Sequence, residues 1–582
     1  MPAITEVETT PRAILKRATR RVLLPMFGVS GVINVLALAL PLYTLSVFDR
    51  VLTSRSEDTL LFLSLAAAVA ILTSALLDGY RTIAFGRVAN WITYSLSPQV
   101  LERSIERRLI DNTLRTELLR EVGNIRNFLA SPVSTALFDL PWLPLYLAIA
   151  FLIHPLFGYI ALAGSLVLFS IAFLSDRLLQ ADIKTSATAG AQAMQEGDCI
   201  LRNAEIVDSL GMTDTIIKRW SGRMYEELSA SERIQASTAT MLSITRGTRA
   251  MIQVALYAFA ALLVIQQEMT GGAIIAASII VSRLLAPVEA VLGQFRALKT
   301  ARESLARLDR LFTLPRRPQT HVDLPRPKGQ LSVDRLTLRL PGHAVPILRN
   351  VSFEIGAGQQ LAIVGPAGSG KTTLARMLIG IARPDMGSVR LDGADVSSWS
   401  REAFGRHIGY LPQDVELFSG TVADNIRRFS GGSDQSVINA ARFAGCHKLI
   451  LSLPNGYETE IGEGGVMLSG GQRQQIGLAR AVYGSPRFIV LDEPNSNLDL
   501  RGDEALSHAL RQLAVNKVTV VIITHRPSIL SNVDMMLVLD QGAVRTFGPT
   551  KDILRKAPAT KPTLPEGGSA EAPAAGSTET VQ

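Results

Sequence analysis

Two fold classes follow one another in this chain: an all-α membrane domain of six spans, then an α/β domain. Three observations predict them. The composition, 47% hydrophobic and 19% charged over 582 residues, is more apolar than that of an average soluble protein, so part of the chain belongs in lipid. Residues 22–48 form an uncharged run longer than the roughly 20 residues a bilayer span needs, and five further apolar stretches follow it. Downstream, the apolar run Leu361-Ala362-Ile363-Val364 leads into Gly365-Pro366-Ala367-Gly368-Ser369-Gly370-Lys371-Thr372, which fits GxxxxGK[ST] and predicts a strand, a loop and a helix start.

In order, residues 1–21 are a polar segment, of which the first eleven read as disordered and Arg12, Lys16, Arg17, Arg20 and Arg21 precede the first span. No small-residue cleavage site is evident, so this reads as an uncleaved span rather than a signal peptide. Pro41 predicts a kink, with the freed carbonyl satisfied by a neighbouring helix. Ser54-Arg55-Ser56-Glu57 has capping-box spacing for the second span, residues 59–77. Residues 78–132 mix charges with helix-period apolar positions and predict a water-exposed helical extension. Spans at 133–153 and 156–175 turn at His154-Pro155, a second polar helical segment covers 176–246, and the last spans occupy 248–267 and 271–293. The membrane domain thus runs over 22–300.

Lys and Arg crowd the amino-terminal segment, both long polar segments and the residues after Gln294, while the turns at His154-Pro155 and Gln266-Glu268 carry none. By the positive-inside rule these basic parts face the cytoplasm, Arg50 and Arg55 dissenting. Net charge is +8 but spread along the chain, which argues for membrane-side anchoring against membrane lipid and against nucleic acid. Cys199 and Cys446 stand far apart without partners at metal-ligand spacing, so neither a disulfide framework nor a zinc site is predicted. Residues 301–330, Pro- and Arg-rich from 314, lead as a linker into the α/β domain at 331–556; residues 557–582 read as a disordered tail.

The glycine loop predicts binding of a nucleotide triphosphate, because backbone N–H groups unobstructed by Cβ atoms wrap phosphates at a helix N-terminus. Lys371 would reach the β- and γ-phosphates and the Thr372 hydroxyl would ligate Mg²⁺, with Thr373 beside them. Phe488-Ile489-Val490-Leu491-Asp492-Glu493 predicts a buried strand ending in two carboxylates, Asp492 to hold Mg²⁺ and Glu493 to polarise the attacking water.

Leu468-Ser469-Gly470-Gly471-Gln472 then names a family: over 331–556 the chain resembles the ATP-binding cassette ATPases. The resemblance implies ATP as the nucleotide, a γ-phosphate and metal contact for Gln413, a γ-phosphate contact for His525, a nucleotide-side role for Asp499, and Ser469, Gly470, Gly471 and Gln472 set against ATP bound to a second copy of the chain. One departure is that relatives commonly place an aromatic on adenine where this chain has Leu338-Arg339-Leu340-Pro341-Gly342-His343, leaving Leu340 or His343 as candidate contacts. The run Thr459-Glu460-Ile461-Gly462-Glu463-Gly464-Gly465 resembles the exporter loop that touches the cytoplasmic helices.

The six spans ahead of it resemble the exporter type of ATP-binding cassette transporter. Gly86-Arg87-Val88-Ala89-Asn90-Trp91, Leu140-Pro141-Trp142-Leu143-Pro144-Leu145-Tyr146, Asn203-Ala204-Glu205, Ser278-Ile279-Ile280-Val281-Ser282-Arg283 and Ala286-Pro287-Val288-Glu289 are similar to the type I secretion permease/ATPases, within them the protease-exporter type, which lacks an amino-terminal peptidase-like domain. That resemblance implies a homodimer in the bacterial inner membrane that exports an unfolded secreted polypeptide through a periplasmic adaptor and an outer-membrane channel. A lipid or small-molecule exporter is the rival within the class, and an ATP-switched receptor the rival outside it. Arg283 and Glu289 in the sixth span and Asp139 in the third are expected to face a cavity or one another. Glu289 lies about 240° around the helix from Arg283, which leaves Arg283 a carboxylate from another helix, such as Asp139, or the lumen between two subunits, and the lumen is favoured.

Overall fold

The computed structural model describes residues 11–109, 117–293, 295–313, 324–339, 345–462 and 465–556. The first eleven residues as a disordered segment, the tail, Leu340, His343, Glu463 and Gly464 therefore fall wholly or largely outside the described residues. The chain divides into two compact units, residues 1–315 and 316–582.

The first unit is helical. Five helices are long and apolar enough to cross a membrane, within Arg20–Ser54, Glu57–Arg108, Pro132–Ile153, Thr213–Ile265 and Gly271–Ala290, and the apolar stretch Pro155–Ile171 opens a sixth, Pro155–Arg202. They coincide in order with the six expected spans. The second span and the extension after it are one 52-residue helix, Glu57–Arg108. Its apolar window has mean hydropathy 2.5 with none of it buried, the signature of a face turned to lipid. The cap of this helix is Ser56, whose hydroxyl accepts from the Thr59 N–H, rather than Ser54. Arg55 takes a left-handed conformation (φ 54°) that ends the short helix Leu52–Ser54 and moves the start on by two residues. Residues 301–313, expected as the start of the linker, continue the helix Phe295–Thr313, which buries Leu308 and Leu311 against Val88, Ile92, Leu96, Val122 and Ile125.

The first span is interrupted just before Pro41, its helices Leu24–Leu36 and Ala39–Ser46 being separated by a turn at Ala37-Leu38. There the Leu38 N–H donates to Val35 rather than to Asn34, and the Asn34 carbonyl accepts instead from the Tyr146 hydroxyl of the third span at 2.9 Å. Around this break lies a buried polar cluster. Arg81, 4% exposed, donates to Asp139 at 2.7 Å, to Ser30 at 2.8 Å and to Asp78 at 2.6 Å, while the Asn34 amide donates to Asp139 at 3.0 Å. Three spans are thereby tied by one guanidinium and one carboxylate.

Asp139 is consequently occupied by Arg81, and Glu289 accepts from Arg249 at 2.6 Å. Arg283 is exposed and has no ion pair among the described residues. The sixth span is otherwise the most enclosed of the five long ones, half of its apolar window being buried. Half-buried Ile275, Ile279 and Ala286 and exposed Arg283 and Ala290 recur at three- to four-residue intervals along one helix face.

The second unit is α/β. Its six-stranded sheet runs, in spatial order, Ala543–Pro549, Met535–Asp540, Gln360–Val364, Thr519–Ile523, Phe488–Asp492 and Ile408–Leu411, parallel except for the first pair. The central strands are continuous apolar runs because both faces are covered: Leu361, Ile363, Val490, Val521 and Ile523 point into one core, Ala362, Ile489, Leu491, Val520 and Ile522 into the other. An antiparallel sheet of Leu348–Ile355, Leu331–Leu338, Met386–Leu391 and Ala394–Asp395 lies in the first of those cores. Glu460-Ile461, in the acidic-glycine run, pairs with Gly420-Thr421. The register pairs Ile523 with both Ile363 and Asp492, so the loops leaving three neighbouring strands emerge side by side.

Candidate active site

Ligands of parallel sheets bind beyond the carboxyl ends of the strands, and the phosphate loop, Gln413, Asp492, Glu493 and His525 lie there. After Val364 the chain must turn sharply against the neighbouring strand. A Cβ on Gly365 would stand 2.1 Å from the Leu539 carbonyl oxygen, and Gly368 and Gly370 have φ of 76° and 97°. No residue with a side chain fits Gly365 without moving backbone. The helix Lys371–Leu378 then begins. Lys371, 8% exposed, folds its Nζ back to the carbonyls of Gly365 at 2.9 Å and Pro366 at 2.8 Å, and the Ser369 hydroxyl, also buried, has no partner among the described residues.

The buried strand Phe488–Asp492 delivers Asp492, 1% exposed, with neither carboxylate oxygen in a hydrogen bond among the described residues. Burial pushes its carboxyl above the usual range and the Glu493 charge adds to the rise, while Thr372, Arg376 and Lys371 pull the other way. An unpaired buried carboxylate is costly. With the Thr372 hydroxyl beside the Asp492 carboxylate, the donor set is all oxygen and fits a Mg²⁺ ion held partly through water and nucleotide phosphate.

Glu493 sits at φ 48°, a conformation rare for a residue with a side chain. Its carboxylate accepts from the Gln413 amide at 3.2 Å and lies 3.8 Å from His525 Nε2. The structure thus brings together Gln413, Glu493 and His525, which are far apart in sequence. It does not bring Ser469, Gly470, Gly471 or Gln472 to the phosphate loop: no hydrogen bond among the described residues joins them to 365–373. Ser469 instead caps the helix Gly470–Val482, with Gln472 returning the bond to the Ser469 N–H at 2.9 Å. Asp499 likewise caps Leu500–Val515, accepting from the Gly502 N–H at 2.8 Å.

The sequence pattern did not single out three supports of the site. Thr524, fully buried, donates to Asn495 at 3.2 Å; Arg376 contributes positive charge near Asp492; and Gln474 donates to the Glu493 carbonyl at 3.0 Å. Only their adjacency to the recognised motifs could have pointed to them.

Comparison with known proteins agrees on both units. Residues 348–496 match the ABC transporter family model and residues 25–288 the ABC transporter transmembrane region. The type I secretion system ATP-binding protein PrsD of Rhizobium meliloti is 39% identical over 530 residues, 90% of this chain and 91% of that protein. The chain belongs to the ATP-binding cassette exporters of type I secretion. The cyclolysin secretion/processing ATP-binding protein CyaB of Bordetella pertussis is 30% identical, covering 90% of this chain and 75% of that protein. The alpha-hemolysin translocation ATP-binding protein HlyB of Escherichia coli O157:H7 is also 30% identical, over 92% and 77%. In fold, a bacterial Atm1-family ABC exporter solved with ATP bound superposes with a TM-score of 0.79 at 24% identity, over 93% of this chain and 96% of that one. The exporter is accordingly a multi-pass inner-membrane transport ATPase with its ATPase domain in the cytoplasm.

Proposed function

We propose that two copies of this exporter hydrolyse ATP at two composite sites and use the cycle to move an unfolded polypeptide outward, through a periplasmic adaptor and an outer-membrane channel. The observation that carries the catalytic part is the convergence of Gln413, Glu493 and His525 beside the buried Asp492. In this reading the loop 365–370 and Lys371 bind the phosphates, and Thr372, Asp492 and Gln413 hold a Mg²⁺ ion, which when bound would neutralise phosphate charge. Water attacks the γ-phosphorus, its proton passes to the Glu493 carboxylate, and the bond to the bridging oxygen breaks with its electrons leaving on ADP. Gln413 orients that carboxylate, and His525 donates toward the γ-phosphate.

The second copy enters because Ser469 and Gly471 lie without a bond to their own phosphate loop, which supports completion of each site by the partner's signature helix. Polypeptide cargo is supported by the relatives named for secretion of cyclolysin and translocation of alpha-hemolysin. The test of the site is Glu493→Gln in the purified exporter. Turnover should fall by about 10² to 10⁴, with two ATP retained per dimer. Robust hydrolysis by that variant would reject Glu493 as the base. For the cargo, the measurement is the set of proteins lost from the medium of a deletion strain; an unchanged medium would reject secretion.

A further inference from the structure

Glu493 is held in a left-handed backbone conformation although it precedes Pro494, a position that already restricts its φ and ψ. Such a conformation persists only where the surroundings over-determine it. Here three hydrogen bonds grip the peptide groups on either side of its Cα. Its N–H donates to the Ile523 carbonyl at 3.0 Å, and its carbonyl accepts from the Ser496 N–H at 3.1 Å and from the Gln474 amide at 3.0 Å. Two of these are backbone bonds; only the third comes from a side chain.

Gln474 is 1% exposed and lies on the signature helix Gly470–Val482. Its amide is used at both ends, because its oxygen also accepts from the Ser496 hydroxyl at 3.3 Å. Nearby, a Cβ on Gly471 would come within 2.7 Å of the Asn497 carbonyl oxygen, so the start of the same helix presses on the same 493–497 turn. A helix seated in this way cannot shift without carrying the turn along.

We propose that Gln474 is a positioning residue for Glu493: it ties the signature helix to the backbone of the base, and so aims the Glu493 carboxylate only when the signature motif of the same chain is seated. This rests on the proposed composite sites. Because a chain's signature motif completes the partner's site while its Glu493 serves its own, the tie links readiness for hydrolysis at one site to nucleotide contact at the other.

The experiment uses the full-length exporter and measures ATPase rate, ATP affinity and thermal midpoint for Gln474→Met, which keeps length and packing but can neither donate nor accept these bonds. Loss of a hydrogen bond of ordinary strength predicts a fall in kcat of about tenfold with ATP affinity unchanged and a thermal midpoint lowered by about 2 to 4 °C. In a Glu493→Gln background the same change should lower the residual rate no further, since groups acting as one unit are not additive. Wild-type kcat in Gln474→Met overturns the proposal, as does a further tenfold loss in the double variant or a loss confined to ATP affinity and stability. If Gln474→Met does not fold, Ser496→Ala, which frees the Gln474 amide, is measured instead: a fall in kcat of about twofold supports the tie and an unchanged rate overturns it. Hydrolysis surviving in Glu493→Gln alone would fault the base assignment, a separate result from any of these.

Discussion

Replacing Arg81 by Met removes the cation that pairs with Asp139, and the loss can be sized from the cluster. Arg81 makes three hydrogen bonds shorter than 3 Å, to Asp139, Ser30 and Asp78. Without it Asp139, whose side chain is 20% exposed, keeps, among the described residues, the Asn34 amide at 3.0 Å. Breaking a buried ion pair by removing one partner costs about 3 to 5 kcal/mol. The remaining amide and partial exposure place this case at the lower end, about 3 kcal/mol. Asp78 contributes little to that sum, because at 54% exposure water takes over its solvation. Removing both charges in Arg81→Met/Asp139→Leu should recover about 2 kcal/mol of the loss, since no uncompensated charge is left. The assay is unfolding in detergent of a chain in which Trp91, Trp220 and Trp399 are replaced by Phe, followed by fluorescence of Trp142, which stacks on Phe27 of the first span at 5.3 Å and so reports contact between spans one and three. Additive losses in the double variant, or a wild-type midpoint for Arg81→Met, would refute the reasoning.

Two further predictions concern thiols. Arg283→Cys, in a chain freed of Cys199 and Cys446, should react with a membrane-impermeant reagent in at least one nucleotide state, because an exposed Arg in a span, without an ion pair among the described residues, is stable beside water; protection in both apo and ATP-trapped states would mean that this face packs on protein. In the native chain, exposed Cys199 should be alkylated at pH 8 while Cys446 is not, burial having pushed the Cys446 thiol up to about 12. At that value only about one thiol in 10⁴ is ionised at pH 8. Its folded value lies above the unfolded one, so its contribution to stability is whole below pH 9.0 and is lost as pH rises toward about 12. Equal labelling of the two cysteines in folded protein would contradict this burial.

The sequence by itself determined what is local and contiguous. Six apolar stretches, the glycine loop and a strand ending in two acids are each legible over fewer than 30 residues, because bilayer thickness, phosphate binding and burial of a parallel strand constrain neighbours along the chain. The failures were local too: Ser54 and Ser56 both suit a cap, and the left-handed turn at Arg55 chose the second. Tertiary structure alone decided which charges meet. Helical periodicity separated Arg283 from Glu289 but could not supply Arg249 for Glu289 or Arg81 for Asp139, since those partners lie 40 and 58 residues away on helices whose rotation is set by packing. The same holds at the candidate site. Residue types marked Glu493 as a base, yet its strained φ and its grip by Gln474 follow from where the signature helix docks on the sheet, a contact between segments 19 residues apart that no local pattern encodes.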